Sequence, residues 1–336
     1  MNFGKRPHFF RVLAVLLPFT LFPILDKNAY HVDLMTTVGI YVILAMGLNV
    51  VVGFAGLLNL GYAAFFAIGA YTYALLNIHL GCPFWPGLLA AGFVAMFFGF
   101  GVGIPAIRVR GDYLAIATLG FGEIVRIAFN NLDRWTGGPN GILGIERPKL
   151  WIPSFKNGFH VEVWKFSVNA TPYFYLTLFL AAVVAYLLFK LSDSKIGRAL
   201  VAIREDELAA SCMGISTLKI KLYAFGISSF IAGIAGSLFA AKQTIVTPDS
   251  FDFVLSVLIL AMVVLGGMGN IWGAALGAVV LGILPELLRD FAGYRMLLFG
   301  LVMIFMMILR PQGILGGQII KRELHRRAKE IDNGAP

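Results

Sequence analysis

The sequence predicts an all-α polytopic membrane protein with about ten transmembrane helices. Of its 336 residues, 59% are hydrophobic and 13% are charged, and an average soluble domain carries about twice that charged fraction. The mean hydropathy is +0.82. So little polar material could not cover the surface of a soluble enzyme or form the basic face of a nucleic-acid-binding domain. We therefore expect the chain to contact membrane lipid and no nucleic acid.

About ten apolar segments have a length and hydropathy that suit a membrane span. They cover residues 12–25, 34–52, 57–77, 84–106, 114–130, 173–189, 222–240, 253–269, 271–288 and 296–309. The first segment follows Lys5 and Arg6, contains two prolines and has no signal-peptide cleavage site before Asp26. We interpret it as a retained anchor.

The distribution of Lys and Arg predicts the orientation of these spans. If both termini are cytoplasmic, the inner segments hold almost twice as many Lys and Arg residues as the outer ones, as the positive-inside rule requires. The predicted order is an N-terminal anchor helix (1–33), membrane helices 2–5 (34–130), an outer, periplasmic loop (131–172), membrane helix 6 (173–189), a cytoplasmic loop (190–221), membrane helices 7–10 (222–309) and a basic cytoplasmic tail (310–336).

No residues have the spacing of a metal or redox site. The two cysteines, Cys82 and Cys212, lie on opposite sides of the membrane in this topology, and the five histidines are scattered. Because structural and catalytic metal sites need closely spaced or convergent ligands, we expect no metal ion in this chain.

Two glycine-rich runs interrupt the apolar segments without charged residues to mark a turn. One covers residues 47–61 and includes Asn49 and Asn59, and the other covers residues 266–277. Irregular backbone at membrane depth persists only where protein or a water-filled cavity covers its polar groups, and such breaks often frame a transport path. Tight helix packing through small residues is an equally good interpretation, particularly for the second run.

One apolar segment carries two opposite charges, Glu123 and Arg126. Residues three apart lie on one helix face, so these side chains can form an ion pair. A lone charge at the centre of a bilayer costs about 2.5–3.5 kcal/mol on insertion scales. The pair is therefore expected to face the bundle interior, a partner or the interface, either as part of a transport route or as a structural ion pair.

The long inner segment contains amphipathic helical patterns between residues 195 and 214. Small and apolar residues recur there at helical spacing beside charged ones, acidic residues precede Leu208, and Gly214 follows as a helix stop. A short helix with small exposed residues can insert into a cleft of another protein and transmit its motion. The alternative is a helix that lies in the lipid headgroup layer.

This inner segment resembles the coupling loop of bacterial ABC importer permeases. Ala209, Ala210 and Gly214 match the latter part of their motif Glu-Ala-Ala-x-x-x-Gly, while the acidic residue is Glu207 and Leu208 takes its expected place. The resemblance implies that the three matching residues, together with Glu207, couple the permease to an ATPase.

More specific runs extend across most of the chain. The segment from Gly47 to Tyr71 is similar to a signature of the branched-chain amino acid permeases. Four further runs are similar to the LivM-type permease subunits of bacterial high-affinity branched-chain amino acid ABC importers. They cover residues 110–124, 136–142, 194–199 and 309–315.

The resemblance implies a set of partners: a LivH-type second permease, two cytoplasmic ATPases and a periplasmic amino-acid-binding protein. The chain would lie in the bacterial inner membrane and translocate leucine, isoleucine and valine. It contains no Gly-x-x-x-x-Gly-Lys-Ser/Thr run, so ATP and Mg²⁺ would be bound by the partner ATPases and this chain would be neither an enzyme nor a cofactor carrier.

An aliphatic amino acid needs an apolar path with a few polar groups for its zwitterion. The candidate lining residues are Asn49, Asn59, Tyr62, Thr118, Glu123 and Arg126. A permease for urea or short-chain amides has a closely similar sequence and stays open as an alternative. An ion-coupled secondary carrier would need an ionisable relay in its spans, and only Glu123 and Glu286 are available.

Overall fold

A computed structural model of the chain is mostly helical. It describes residues 20, 22–26, 28–107, 111–154, 160–165, 170–288, 300–301, 304 and 313–315. Most of the predicted anchor helix, the segment 296–309 and the tail 310–336 lie outside these residues, so those predictions stay untested.

Most of the helices follow one another with short connections, and the exception is the segment between α4 and α5. They are α1 (Ala29–Asn49), which continues as a π-helix over Val50–Phe54, α2 (Tyr62–Leu80), α3 (Phe84–Ile107), α4 (Asp112–Asn131), α5 (Ala170–Ser192), α6 (Lys195–Glu205), α7 (Glu207–Cys212), α8 (Thr217–Gln243), α9 (Phe253–Gly266) and α10 (Ile271–Leu287). Single helical turns cover Phe22–Leu25, Asp133–Thr136, Gly138–Asn140 and Pro248–Phe251.

Within the described residues, seven helical stretches are long and apolar enough to cross a membrane. They belong to α1, α2, α3, α4, α5, α8 and α9, and α10 is a shorter apolar helix. Each coincides with one of the predicted apolar segments, which confirms those segments as helices. The total of about ten helices and the orientation of the termini stay predictions.

Helix α8 forms the centre of the bundle. It packs against α2 and α3 on one side and against α1 on the other, and most of its residues are buried. Gly233 permits this packing, because a Cβ atom there would lie 2.6 Å from the Ala91 carbonyl oxygen of α3. Small residues at such crossings bring backbones together and replace lipid contacts with dispersion contacts.

The bundle has two distinct ends. One end carries α6 and α7, and we call it the α6–α7 side. The other end carries the segment between α4 and α5, and we call it the hairpin side. On that side the Lys242 ammonium at the end of α8 lies 3.0 Å from the Asp33 carboxylate near the start of α1, which shows that these helices are antiparallel.

Two small antiparallel sheets lie on the hairpin side and qualify the all-helical prediction. Strand β1 (Ile142–Leu143) pairs with β4 (Ile245–Val246), and β2 (Lys149–Ser154) pairs with β3 (His160–Lys165). The register places Lys149 opposite Lys165. The sequence of β3 alternates polar and apolar residues from His160 to Val163, a strand pattern within the predicted outer loop.

Candidate translocation and coupling site

The first glycine-rich run forms a genuine break in the helical backbone. The π-helix ends at Phe54, and the chain is non-helical until α2 begins at Tyr62. Side chains bind the freed N–H groups: Leu60 donates to the Thr118 hydroxyl (3.0 Å) and Ala63 to the Ser256 hydroxyl (3.0 Å). The break is thus covered by protein, as irregular backbone at membrane depth must be.

Asn59 completes this set of contacts. Its side-chain oxygen accepts a hydrogen bond from the Gly61 N–H (3.0 Å), and it is 1% exposed. A Cβ atom on Gly122 would lie 3.2 Å from the Gly61 Cα atom. The absence of side chains therefore lets α4 approach the start of α2 closely.

A small cleft opens where α2 and α9 begin beside the middle of α4. We call it the α2–α4–α9 cleft. It is lined by Leu60, Ala63, Ala64, Leu119, Gly122, Glu123, Phe251, Asp252, Phe253 and Ser256. The Asp252 carboxylate caps α9 by accepting from the Leu255 N–H (2.9 Å). The lining thus joins apolar surface to the carboxylates of Glu123 and Asp252 and the hydroxyl of Ser256.

Glu123 and Arg126 form the predicted ion pair. The Arg126 Nε donates to Glu123 Oε2 at 3.0 Å, and a guanidinium nitrogen of Arg126 lies 3.8 Å from the Asp249 carboxylate. The Glu123 and Arg126 side chains are 33% and 31% exposed. A partly exposed ion pair in an apolar helix is expected to face an aqueous path, a partner or the membrane interface.

The two glycine-rich runs meet on the α6–α7 side. The Asn49 side-chain oxygen accepts a hydrogen bond from the Gly269 N–H (2.9 Å). The Gly53 carbonyl oxygen accepts one from Arg204 Nη1 (2.6 Å). We call Asn49, Gly53, Arg204 and Gly269 the break junction. Its backbones lie so close that a Cβ atom on Gly53 would overlap both Asn49 and Gly269.

Residues 313–315 bind the neighbouring end of α9. The Ile314 N–H donates to the Leu265 carbonyl (2.9 Å) and the Leu315 N–H to the Gly266 carbonyl (3.1 Å). The Asn270 side chain in turn donates to the Leu315 carbonyl (3.0 Å). These bonds satisfy carbonyl groups that the end of a helix leaves unpaired.

Helix α7 projects from the α6–α7 side and carries the candidate coupling residues. Asp206 caps it by accepting from the Leu208 and Ala209 N–H groups (2.8 and 3.0 Å). Ala209 is exposed, whereas Ala210 is buried at 5% exposure. Gly214 ends the helical turn with a φ of +81°, a conformation that favours glycine.

The fourth candidate coupling residue, Glu207, binds α8. Its carboxylate lies 2.6 Å from the Lys221 ammonium of α8, and the Lys221 side chain is only 6% exposed. Glu207 is 37% exposed, so it fixes α7 to α8 and still reaches solvent. Large apolar side chains at Leu208 (68% exposed) and Met213 (83% exposed) flank it.

The six candidate path residues do not form one site. Glu123 lines the cleft, and Arg126 forms an ion pair with Glu123. Asn59 and Thr118 are buried next to the cleft. Asn49 lies at the break junction. Tyr62 is fully buried, and its hydroxyl donates to the Ser228 carbonyl of α8 (3.2 Å).

Sequence reasoning missed several residues because their roles depend on tertiary contacts. They are Arg204, Lys221, Asp252, Ser256 and Gly269. Asp252 before an apolar run was a recognisable N-cap signal. Among the described residues, no group of three or more His, Cys, Asp or Glu side chains could hold a metal ion.

Comparison with known proteins finds a family model that matches residues 30–309. Its description is a branched-chain amino acid transport system permease component. The high-affinity branched-chain amino acid transport system permease protein LivM of Salmonella typhimurium is 48% identical over 315 residues, which cover 90% of this chain and 73% of the relative. LivM of Escherichia coli is 47% identical over the same shares.

The permease protein LivH of Escherichia coli is a more distant relative. It is 28% identical over 287 residues, covering 82% of this chain and 91% of LivH. No solved structure matches the chain.

Proposed function

The chain belongs to the family of branched-chain amino acid transport system permease components, and on that premise we propose that it imports leucine, isoleucine and valine as one subunit of an ABC importer. The observation that carries this proposal is the similarity to LivM proteins along nearly the whole chain. The apolar helices fit a multi-pass membrane protein, and we place it in the bacterial inner membrane.

We propose that the α6–α7 side faces the cytoplasm. The inner segments of the predicted topology contain most of the Lys and Arg residues, which favours this orientation. Both termini would lie on the same side, with about ten helices in all. Residues 131–172 would then face the periplasm, where their strands offer a surface to an amino-acid-binding protein.

Coupling to ATP hydrolysis is assigned to α7. The exposed Ala209 and Gly214 leave room for a partner surface, and Leu208 and Met213 add apolar area that a docked protein would remove from water. Two cytoplasmic ATPases would bind here and on the second permease. They would hold the ATP and Mg²⁺, so this chain requires no cofactor of its own.

The translocation path is assigned to the α2–α4–α9 cleft. Apolar residues such as Leu60 and Phe251 suit an aliphatic side chain, while Glu123 and Asp252 supply charge that a zwitterion's ammonium group can approach. Arg126 supplies the opposite charge. A LivH-type second permease would cover this face and complete the path, which accounts for the partial exposure of the ion pair.

The function is tested by uptake in proteoliposomes that contain this chain and its four partner proteins. We expect ATP-dependent uptake of labelled leucine, isoleucine and valine when the loaded binding protein is present. Urea is the matched control substrate and should not be taken up. Uptake of urea in preference to leucine, or uptake driven by an ion gradient without ATP, would contradict the proposal.

A further inference from the structure

We propose that Arg204 is a positioning residue that links the α6–α7 loop to the broken end of α1. This inference rests on the proposed function and adds the point at which motion from α7 enters the membrane helices. It starts from the contacts of a single guanidinium group at the break junction.

Arg204 binds a carbonyl group at the end of a helix. The last carbonyl groups of a helix have no intrahelical partner and carry partial negative charge. At the end of the π-helix, the Gly53 carbonyl accepts a hydrogen bond from Arg204 Nη1 at 2.6 Å. Arg204 therefore caps this helix from a segment 151 residues away in the chain, and the bond is charge-assisted and strong.

The Arg204 side chain also packs against the two glycine-rich runs. A Cβ atom on Gly56 would lie 2.9 Å from Arg204 Cγ, and a Cβ atom on Gly269 would lie 2.9 Å from Arg204 Nη1. The side chain is therefore in close contact with both glycine-rich runs at once. A flat guanidinium fits between two backbones in a way that the ammonium group of lysine does not.

Two charged side chains, Glu207 and Arg204, attach the α6–α7 loop to the bundle. Helix α7 is bound to α8 by the ion pair of Glu207 with Lys221, and α6 is bound to the break junction by Arg204. Asn49 then connects α1 to Gly269. Helix α6 also packs directly against α5 and α8. A displacement of α6 and α7 consequently reaches α8 through this packing and Glu207, whereas Arg204 carries it to α1 and the 267–270 turn.

The position of the second attachment also matters. π-helices are rare, and they occur often at functional sites. Arg204 binds within such a stretch, Val50–Phe54, which joins α1 to the break before α2. Motion that enters at Gly53 therefore reaches α1 where its regular helical backbone ends.

The test compares Arg204→Gln and Arg204→Lys with the wild-type complex in proteoliposomes. The matched control is Arg198→Gln, because Arg198 lies on the same helix and, among the described residues, its side chain donates only to the nearby Asp193 carbonyl (2.8 Å). The quantities measured are complex assembly, leucine uptake, and the number of ATP molecules hydrolysed per leucine imported. A mere loss of stability lowers assembly but leaves this ratio unchanged.

We expect Arg204→Gln to assemble and to raise the ATP-to-leucine ratio about tenfold, as loss of one charge-assisted bond predicts. Arg204→Lys should restore only part of the coupling, and Arg198→Gln should match the wild type. An unchanged ratio in Arg204→Gln, or an equal rise in Arg198→Gln, would overturn this inference. Failure of the wild-type complex to import leucine would instead overturn the proposed function.

Discussion

The break junction and the α2–α4–α9 cleft both lie at interrupted helices, yet they differ in how their polar groups are satisfied. At the break junction, Asn49 and Arg204 bind backbone groups and the glycines are in direct contact. At the cleft, the Glu123 and Arg126 side chains stay about one third exposed. Because Arg204 is itself exposed, the comparison teaches that the two breaks differ in their partners: backbone groups and close glycine contacts close the break junction, whereas charged side chains bind one another at the cleft.

The largest expected effect comes from filling the break junction. In Gly53→Ala, the added methyl group overlaps Asn49 and Gly269, and overpacking of this kind costs about 1–3 kcal/mol or more. We expect leucine uptake to be lost and assembly of the complex to fall, as measured by copurification of the partner subunits.

Gly101→Ala is the matched control for that substitution. A Cβ atom on Gly101, in α3, meets nothing within 4 Å, and the helical position favours alanine over glycine. This variant should assemble and transport normally. Equal damage from both variants would show that close packing does not distinguish the break junction.

A smaller effect is expected at the cleft. In Glu123→Gln, Arg126 keeps Asp249 as a nearby partner, so the thermal stability of the complex should change little, because exposed ion pairs contribute about 0–1 kcal/mol. Leucine uptake should nevertheless fall about tenfold, a change of about 1.4 kcal/mol. Uptake and thermal stability of the purified complex are measured in parallel.

Exchanging the two charges separates the interpretations of this ion pair. The double variant Glu123→Arg, Arg126→Glu keeps an ion pair on the same helix face. If the cleft uses the carboxylate at position 123, uptake stays low in the double variant. Recovery of uptake would assign the pair a structural role only and would remove it from the path.

The last prediction compares the stability of two variants at the attachment of α7. Glu207→Ala leaves the buried Lys221 ammonium without its carboxylate partner, whereas Lys221→Met leaves Glu207 free to reach solvent. Unpaired buried charges cost more than unpaired exposed ones. Glu207→Ala should therefore lower the melting temperature of the complex further than Lys221→Met does. The reverse order would show that Glu207 does not hold α7 to α8.

The sequence predicts local features of this fold better than long-range contacts. Helices α1 to α5 and α8 to α10 lie at predicted apolar segments because span length and hydropathy are properties of a single segment. The pairing of Glu123 with Arg126 was also predictable, since helical spacing alone brings the two residues together.

The candidate site was less predictable because its residues come from distant segments. Asn49 and Gly269 are 220 positions apart, and no local pattern brings them together. Tyr62 is fully buried and its hydroxyl donates to the Ser228 carbonyl, 166 positions away, a contact that the local sequence does not predict. Exposure of Leu208 and Met213 depends on how α7 is held, which the loop sequence does not specify.

The central claim is that α7 faces the cell interior and is covered by an ATPase. An exposed cysteine on α7 makes a direct test possible. Cys212 lies on α7 and is solvent-exposed, so a Cys82→Ser variant leaves it as the single thiol of the chain. A membrane-impermeant maleimide should label it in inside-out vesicles stripped of the ATPases, and readdition of the ATPases should protect it. Labelling in right-side-out vesicles, or no protection by the ATPases, would contradict the account.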